Sequence, residues 1–168
     1  GPKSILTPGA LAGWLAALET YGTLDRATVF APAIEYASGG VPLTPRGQAQ
    51  AAAMAQWVAL RYALCRIHHS TLLRAAQTAQ ALSRTSGAPL IPDARLMEFD
   101  NGLLAGLGRE EARVKYPRVE GLPLHASVYG QESQLTFRFR VEEALSWILS
   151  QPAEGDVAVV AHGGTIWN

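Results

Sequence analysis

The spacing of apolar positions changes several times along the chain, and each change marks a predicted element. After Thr7-Pro8, a cap followed by proline at the first helical position, Leu11, Trp14, Leu15 and Leu18 recur at helical spacing until Gly22. Residues 27–31 are a short β-prone run, with residues 28–30 as its strand. Thr44-Pro45 opens a second helix to about residue 60, with Met54, Trp57 and Val58 on its buried face. Residues 64–67 form a short apolar strand. Ser70 then reads as the N-cap of an Ala/Leu/Gln-rich helix over 71–82, closed by Ser86-Gly87. An extended piece at 89–91, a glycine-bearing loop at 96–106, a charged helix at 109–116 and a loop to Gly130 follow. Val141, Leu145 and Ile148 share one face of an amphipathic helix opened by Glu132-Ser133. Residues 156–161 are continuously apolar after Asp156, as in a parallel strand buried on both faces. Short strands alternating with amphipathic helices predict an α/β fold: a three-layer α/β/α sandwich with a mostly parallel central sheet.

Bulk properties narrow the functional classes. The chain has 168 residues, one domain's worth, with 14 basic and 14 acidic side chains. That balance gives no electrostatic case for nucleic acid, and no apolar run reaches the ~20 residues needed to span a bilayer. The single Cys65 excludes an internal disulfide and fits a reducing cytoplasm. Gly1-Pro2 is read as the remnant of a cleaved tag, so 1–24 comprise that remnant and an extra helix, and 25–168 the main domain.

Two stretches carry chemistry. Arg74 falls on the first turn of the helix after Ser70, beside free N–H groups and the positive helix end, where an anion binds. His162-Gly163-Gly164 follows the apolar strand, at the carboxyl edge where open α/β sheets place ligands. Ser70, Leu72, Arg74, Ala75, Gln77, Thr78 and Ala79 resemble the S-x-L-x-R-A-x-Q-T-A motif of the histidine phosphatase (phosphoglycerate-mutase-like) superfamily. Pro42-Leu43-Thr44, Leu96-x-Glu98 with Gly102 and Gly106, Glu132-Ser133 and Ala161-His162-Gly163-Gly164 resemble further landmarks in the same order. The resemblance implies that Arg74 and His162 bind phosphate, that Glu98 stands at the proton donor and His162 at the second active-site histidine, and that no cofactor is required. His68 and His69 point to opposite faces of a strand, a poor arrangement for a shared metal ion.

The family's first motif, R-H-G, supplies the nucleophilic histidine and a phosphate clamp. Aligned on a strand at 28–30 and on Pro42-Leu43-Thr44, the corresponding residues here are Ala31-Pro32-Ala33. Proline has no lone pair to offer a phosphoryl group, so Pro32 cannot be the nucleophile. The chain also ends six residues after His162, where family members continue with a helix, so the domain reads as truncated there. The expected function is a degenerate histidine-phosphatase-like protein, a pseudoenzyme with a residual anion or phosphate pocket. Its expected partner is a phosphorylated or other anionic small molecule. The alternatives are an active phosphomonoester hydrolase or mutase of altered mechanism, and a structural or protein-interaction module with a vestigial pocket.

Overall fold

The computed structural model describes residues 18–25, 28–29 and 40–167. The chain divides into two compact units, Gly1–Val41 and Pro42–Asn168.

In the first unit, residues 18–21 are helical and the turn ends at Gly22, whose N–H reaches Leu18 O at 2.9 Å. The strand expected at 28–30 does not form at its two described residues: Thr28 and Val29 are helical. Asp25 is the cause. Its carboxylate accepts from the Thr28 N–H (3.0 Å) and hydroxyl (2.7 Å), a cap that outweighs the β propensity of a short Thr-Val-Phe run. The rest of the predicted first helix and Ala31-Pro32-Ala33 lie outside the described residues.

The second unit begins with α1, Pro45–Ala59, capped as expected by Thr44 Oγ1, which accepts from Gly47 N–H at 3.1 Å. Its buried residues are Ala51 and Ala55, with Met54 and Val58 packed alongside. Trp57, predicted to be buried, is exposed and carries Arg61 over its ring at 4.2 Å. β1 (Leu64–His69), α2 (Leu73–Ser86) and β2 (Leu90–Pro92) follow. After two 3₁₀ turns come α3 (Arg109–Lys115), α4 (Gln134–Ser150), β3 (Asp156–Val160) and α5 (Gly163–Trp167).

The sheet is parallel, in the order β2-β1-β3, so the chain passes to one side of β1 and returns on the other. Ile67 and its partner Ala158 face α1 and α2, in a core with Ala55, Ala79 and Leu82. Val157 faces the opposite way, against Leu96, Ala144 and Ile148 beneath α4. Helices therefore cover both sheet faces, giving the predicted three layers. One expectation fails in degree: β3 is an edge strand of this sheet among the described residues, and Val159 is 39% exposed rather than buried. Among the described residues no helix is long and apolar enough to cross a membrane.

Candidate functional site

All three parallel strands end at one edge, and the segments leaving them supply the site. β1 separates its two histidines as strand alternation requires. His68 turns toward α4 and meets Trp147 edge-on, 5.7 Å between ring centres at 88°. His69 is buried, its Nδ1 2.8 Å from Ser70 O. Among the described residues no group of three or more His, Cys, Asp or Glu is placed to hold a metal ion.

Ser70 departs from its expected part. The helix starts at Leu73, and its cap position, Leu72, has no side-chain cap. Ser70 instead joins strand ends. Its N–H donates to Val160 O at 2.9 Å, and its Oγ accepts from Leu72 N–H at 3.2 Å and lies 2.8 Å from His162 Nε2. The hydrogen bond spans β1 and β3, between the strands where the chain reverses direction across the sheet, the position at which such sheets hold ligands. Arg74 is the second residue of α2. It is half-buried, and its guanidinium has no hydrogen-bond or ion-pair partner among the described residues.

Glu98 arrives on the loop after β2. Its carboxylate accepts from Phe99 N–H (2.9 Å) and from Gly164 N–H (3.2 Å). A Cβ on Gly164 would collide with Glu98 Oε1, so the second glycine after His162 is what lets this carboxylate approach the backbone.

The loop itself is held by Arg140. Nε and Nη2 pair bidentately with the Glu132 carboxylate at 2.9 and 2.6 Å; Nη1 donates to Arg95 O (2.8 Å) and Met97 O (2.7 Å); Nη2 also donates to Glu98 O (3.0 Å). All five guanidinium N–H groups are thereby matched. Glu132 completes the tie by accepting from Asp100 N–H at 2.9 Å. The role of Arg140 escaped the sequence reading, yet it left a signal. It lies on the stripe of Phe137, Val141, Ala144 and Ile148, and a cation among buried apolar positions requires partners.

Arg74 and Glu98 line one open cavity of about 480 Å³, together with Met97, Phe99, Asp100 and Arg140. His162 is not in its wall. It lies behind, 8% exposed, bonded to Ser70 but close enough to feel Arg74, Glu98 and Arg140 electrostatically. Burial, then the Arg74 charge, push its pKa below the ordinary histidine value, with Glu98 opposing, so the imidazole is neutral at pH 7. Around the cavity the carboxylates are engaged: Glu132 by Arg140, Glu98 by two backbone N–H groups, Asp100 by Gly102 N–H at 2.9 Å. Of the two arginines in the wall, Arg74 is the one whose guanidinium has no partner among the described residues.

Solved structures of similar shape include a mycobacterial glucosyl-3-phosphoglycerate phosphatase in complex with inorganic phosphate (28% identity, TM-score 0.64, 74% of this chain and 65% of that one). The same phosphatase complexed with VO3 matches at 27% identity and TM-score 0.64, over 79% of this chain and 71% of that one. Bacillus stearothermophilus YhfR matches at 25% identity and TM-score 0.64, over 74% and 63%. A 45-residue stretch is also 49% identical to acylase ACY 1 proenzymes of two Pseudomonas strains, covering 27% of this chain and 8% of those proteins. The chain thus spans about two thirds of the solved structures and a small part of the acylases. The family pattern described as histidine phosphatase superfamily (branch 1) matches residues 33–168, and the chain belongs to that superfamily.

Proposed function

We propose that the unit 42–168 is a phosphate-ester-binding pocket of the histidine phosphatase type, in a chain that binds its ligand without turning it over. The carrying observation is Arg74: a half-buried guanidinium with no described partner, at the start of a helix, in a cavity whose carboxylates are already engaged. A bidentate guanidinium contact is among the strongest hydrogen-bonding arrangements available to a phosphate. Neighbouring structures that hold phosphate or vanadate support this ligand class.

The reading of no turnover is supported by the inventory of imidazoles in these 168 residues. The four histidines of the chain are His68, His69, His125 and His162, so none precedes residue 68. His68 is buried against Trp147, His69 is held at Ser70 O, and His125 is an exposed loop residue outside the walls of the Arg74 cavity, so in this reading His162 acts without a second imidazole. Glu98, in the wall, and His162, behind it, are in this reading residual members of the catalytic set. The partner is a phosphorylated or other anionic small molecule.

Melting with and without millimolar inorganic phosphate, alongside a p-nitrophenyl phosphate assay, tests both halves. A ligand that binds only the folded state raises Tm, so phosphate is expected to stabilise the parent and hydrolysis to stay at background. Hydrolysis at enzyme-typical rates, abolished by His162→Ala, would overturn the reading in favour of an active enzyme of altered mechanism.

A further inference from the structure

A second cavity, of about 720 Å³, adjoins the first and is larger. The two share Phe99 and Glu132 as walls. We infer that this second cavity is the subsite for the organic part of the bound phosphate ester, an aromatic-sized group carrying an acidic substituent. The inference rests on the first cavity holding the phosphate.

The junction comes first. Phe99 gives its N–H to Glu98 and packs its ring against Phe137 at 5.5 Å, so the residue that orients the carboxylate is also a wall of the second cavity. Glu132, the other shared wall, is neutralised by Arg140 and does not repel an anion crossing between cavities.

The walls suit a flat, partly apolar body. Tyr116 and Tyr129 pack against each other with 5.1 Å between ring centres and a 52° tilt, and Leu104 and Leu122 add apolar surface. They are held in place. Tyr129 has a left-handed backbone (φ 56), and non-glycine residues keep such conformations only where the surroundings enforce them. Its hydroxyl donates to Pro117 O at 3.2 Å and its carbonyl accepts from Leu103 N–H at 2.9 Å. Gly102 packs on the Gly130 backbone so closely that any Cβ would clash. A wall fixed before the ligand arrives costs less ordering on binding.

Charge supplies the acidic substituent. Arg113 and Arg118 line the cavity, are exposed, and have no ionic partner among the described residues, whereas the one carboxylate in the wall, Glu132, is already paired.

The test is a calorimetric comparison of inorganic phosphate, phenyl phosphate and 4-carboxyphenyl phosphate. Phenyl phosphate should bind roughly tenfold tighter than phosphate, and the carboxylated ester several-fold tighter again. Tyr116→Ala should remove the first gain. The double variant Arg113→Gln with Arg118→Gln, at exposed positions that leave folding intact, should remove the second. Neither should alter the affinity for phosphate. If phosphate binds through Arg74 but the esters bind no tighter, or their gain survives both variants, the subsite is overturned and the phosphate reading stands. If phosphate does not bind at all, that reading fails and this inference with it.

Discussion

Two arginines face the same cavity and behave as opposites. Arg140 has every N–H matched, three to backbone carbonyls of the 95–98 loop and two to Glu132. Arg74, across the cavity at the start of α2, has a guanidinium without a described partner. A matched cation holds the fold, and an unmatched one is available to a ligand. The contrast also divides the site: the loop side is assembled by internal hydrogen bonds, while the strand-helix side ends in an open donor.

Stability measurements should separate the two sides. Arg140→Ala is expected to have the largest effect, because it strands the mostly buried Glu132 carboxylate and frees three carbonyls. A loss of about 3–5 kcal/mol in denaturant unfolding is expected. Gly164→Ala comes next. Its methyl group would lie on Glu98 Oε1, with Phe137 Cζ at 3.4 Å behind, so Glu98 must give up the Gly164 N–H. About 1–3 kcal/mol should be lost by the same measurement, and the Glu98 resonances should shift.

A pH titration of stability is the third test. His68 is 1% exposed with both ring nitrogens unpartnered among the described residues. Burial first, and then the Arg66 charge, lower its pKa, with Asp93 opposing. His162 is lowered likewise. A lowered folded value means that the unfolded chain takes up the proton first. Stability is therefore full above the unfolded value near 6.5 and is lost as pH falls from there toward the folded values. The slope per group is on the order of 1.4 kcal/mol per pH unit. His68→Leu should flatten part of that acid limb. Arg74→Ala should have the smallest effect, within about 0.5 kcal/mol, because no described contact is lost.

What the sequence disclosed follows from how local each signal is. α1 was readable because Thr44 and Pro45 set its start by local features. The strand reading fails at residues 28 and 29 because β propensity there weighs less than the Asp25 cap. Ser70 was assigned to a helix it does not cap because its partner, His162, is 92 residues away. The β3 pattern gave a strand correctly, but burial depends on which neighbours pair with it. Arg140 needed the fold before its partners could be named.

The most direct measurement is a calorimetric titration of inorganic phosphate into the parent, Arg74→Ala and Arg74→Lys. The account predicts binding by the parent, a loss of roughly 1.5–3 kcal/mol in the alanine variant, and partial recovery with lysine, which restores charge without the bidentate fork. Equal affinity in all three proteins, each folded to the same melting temperature, would contradict the claim that Arg74 is the cation this site reserves for its ligand.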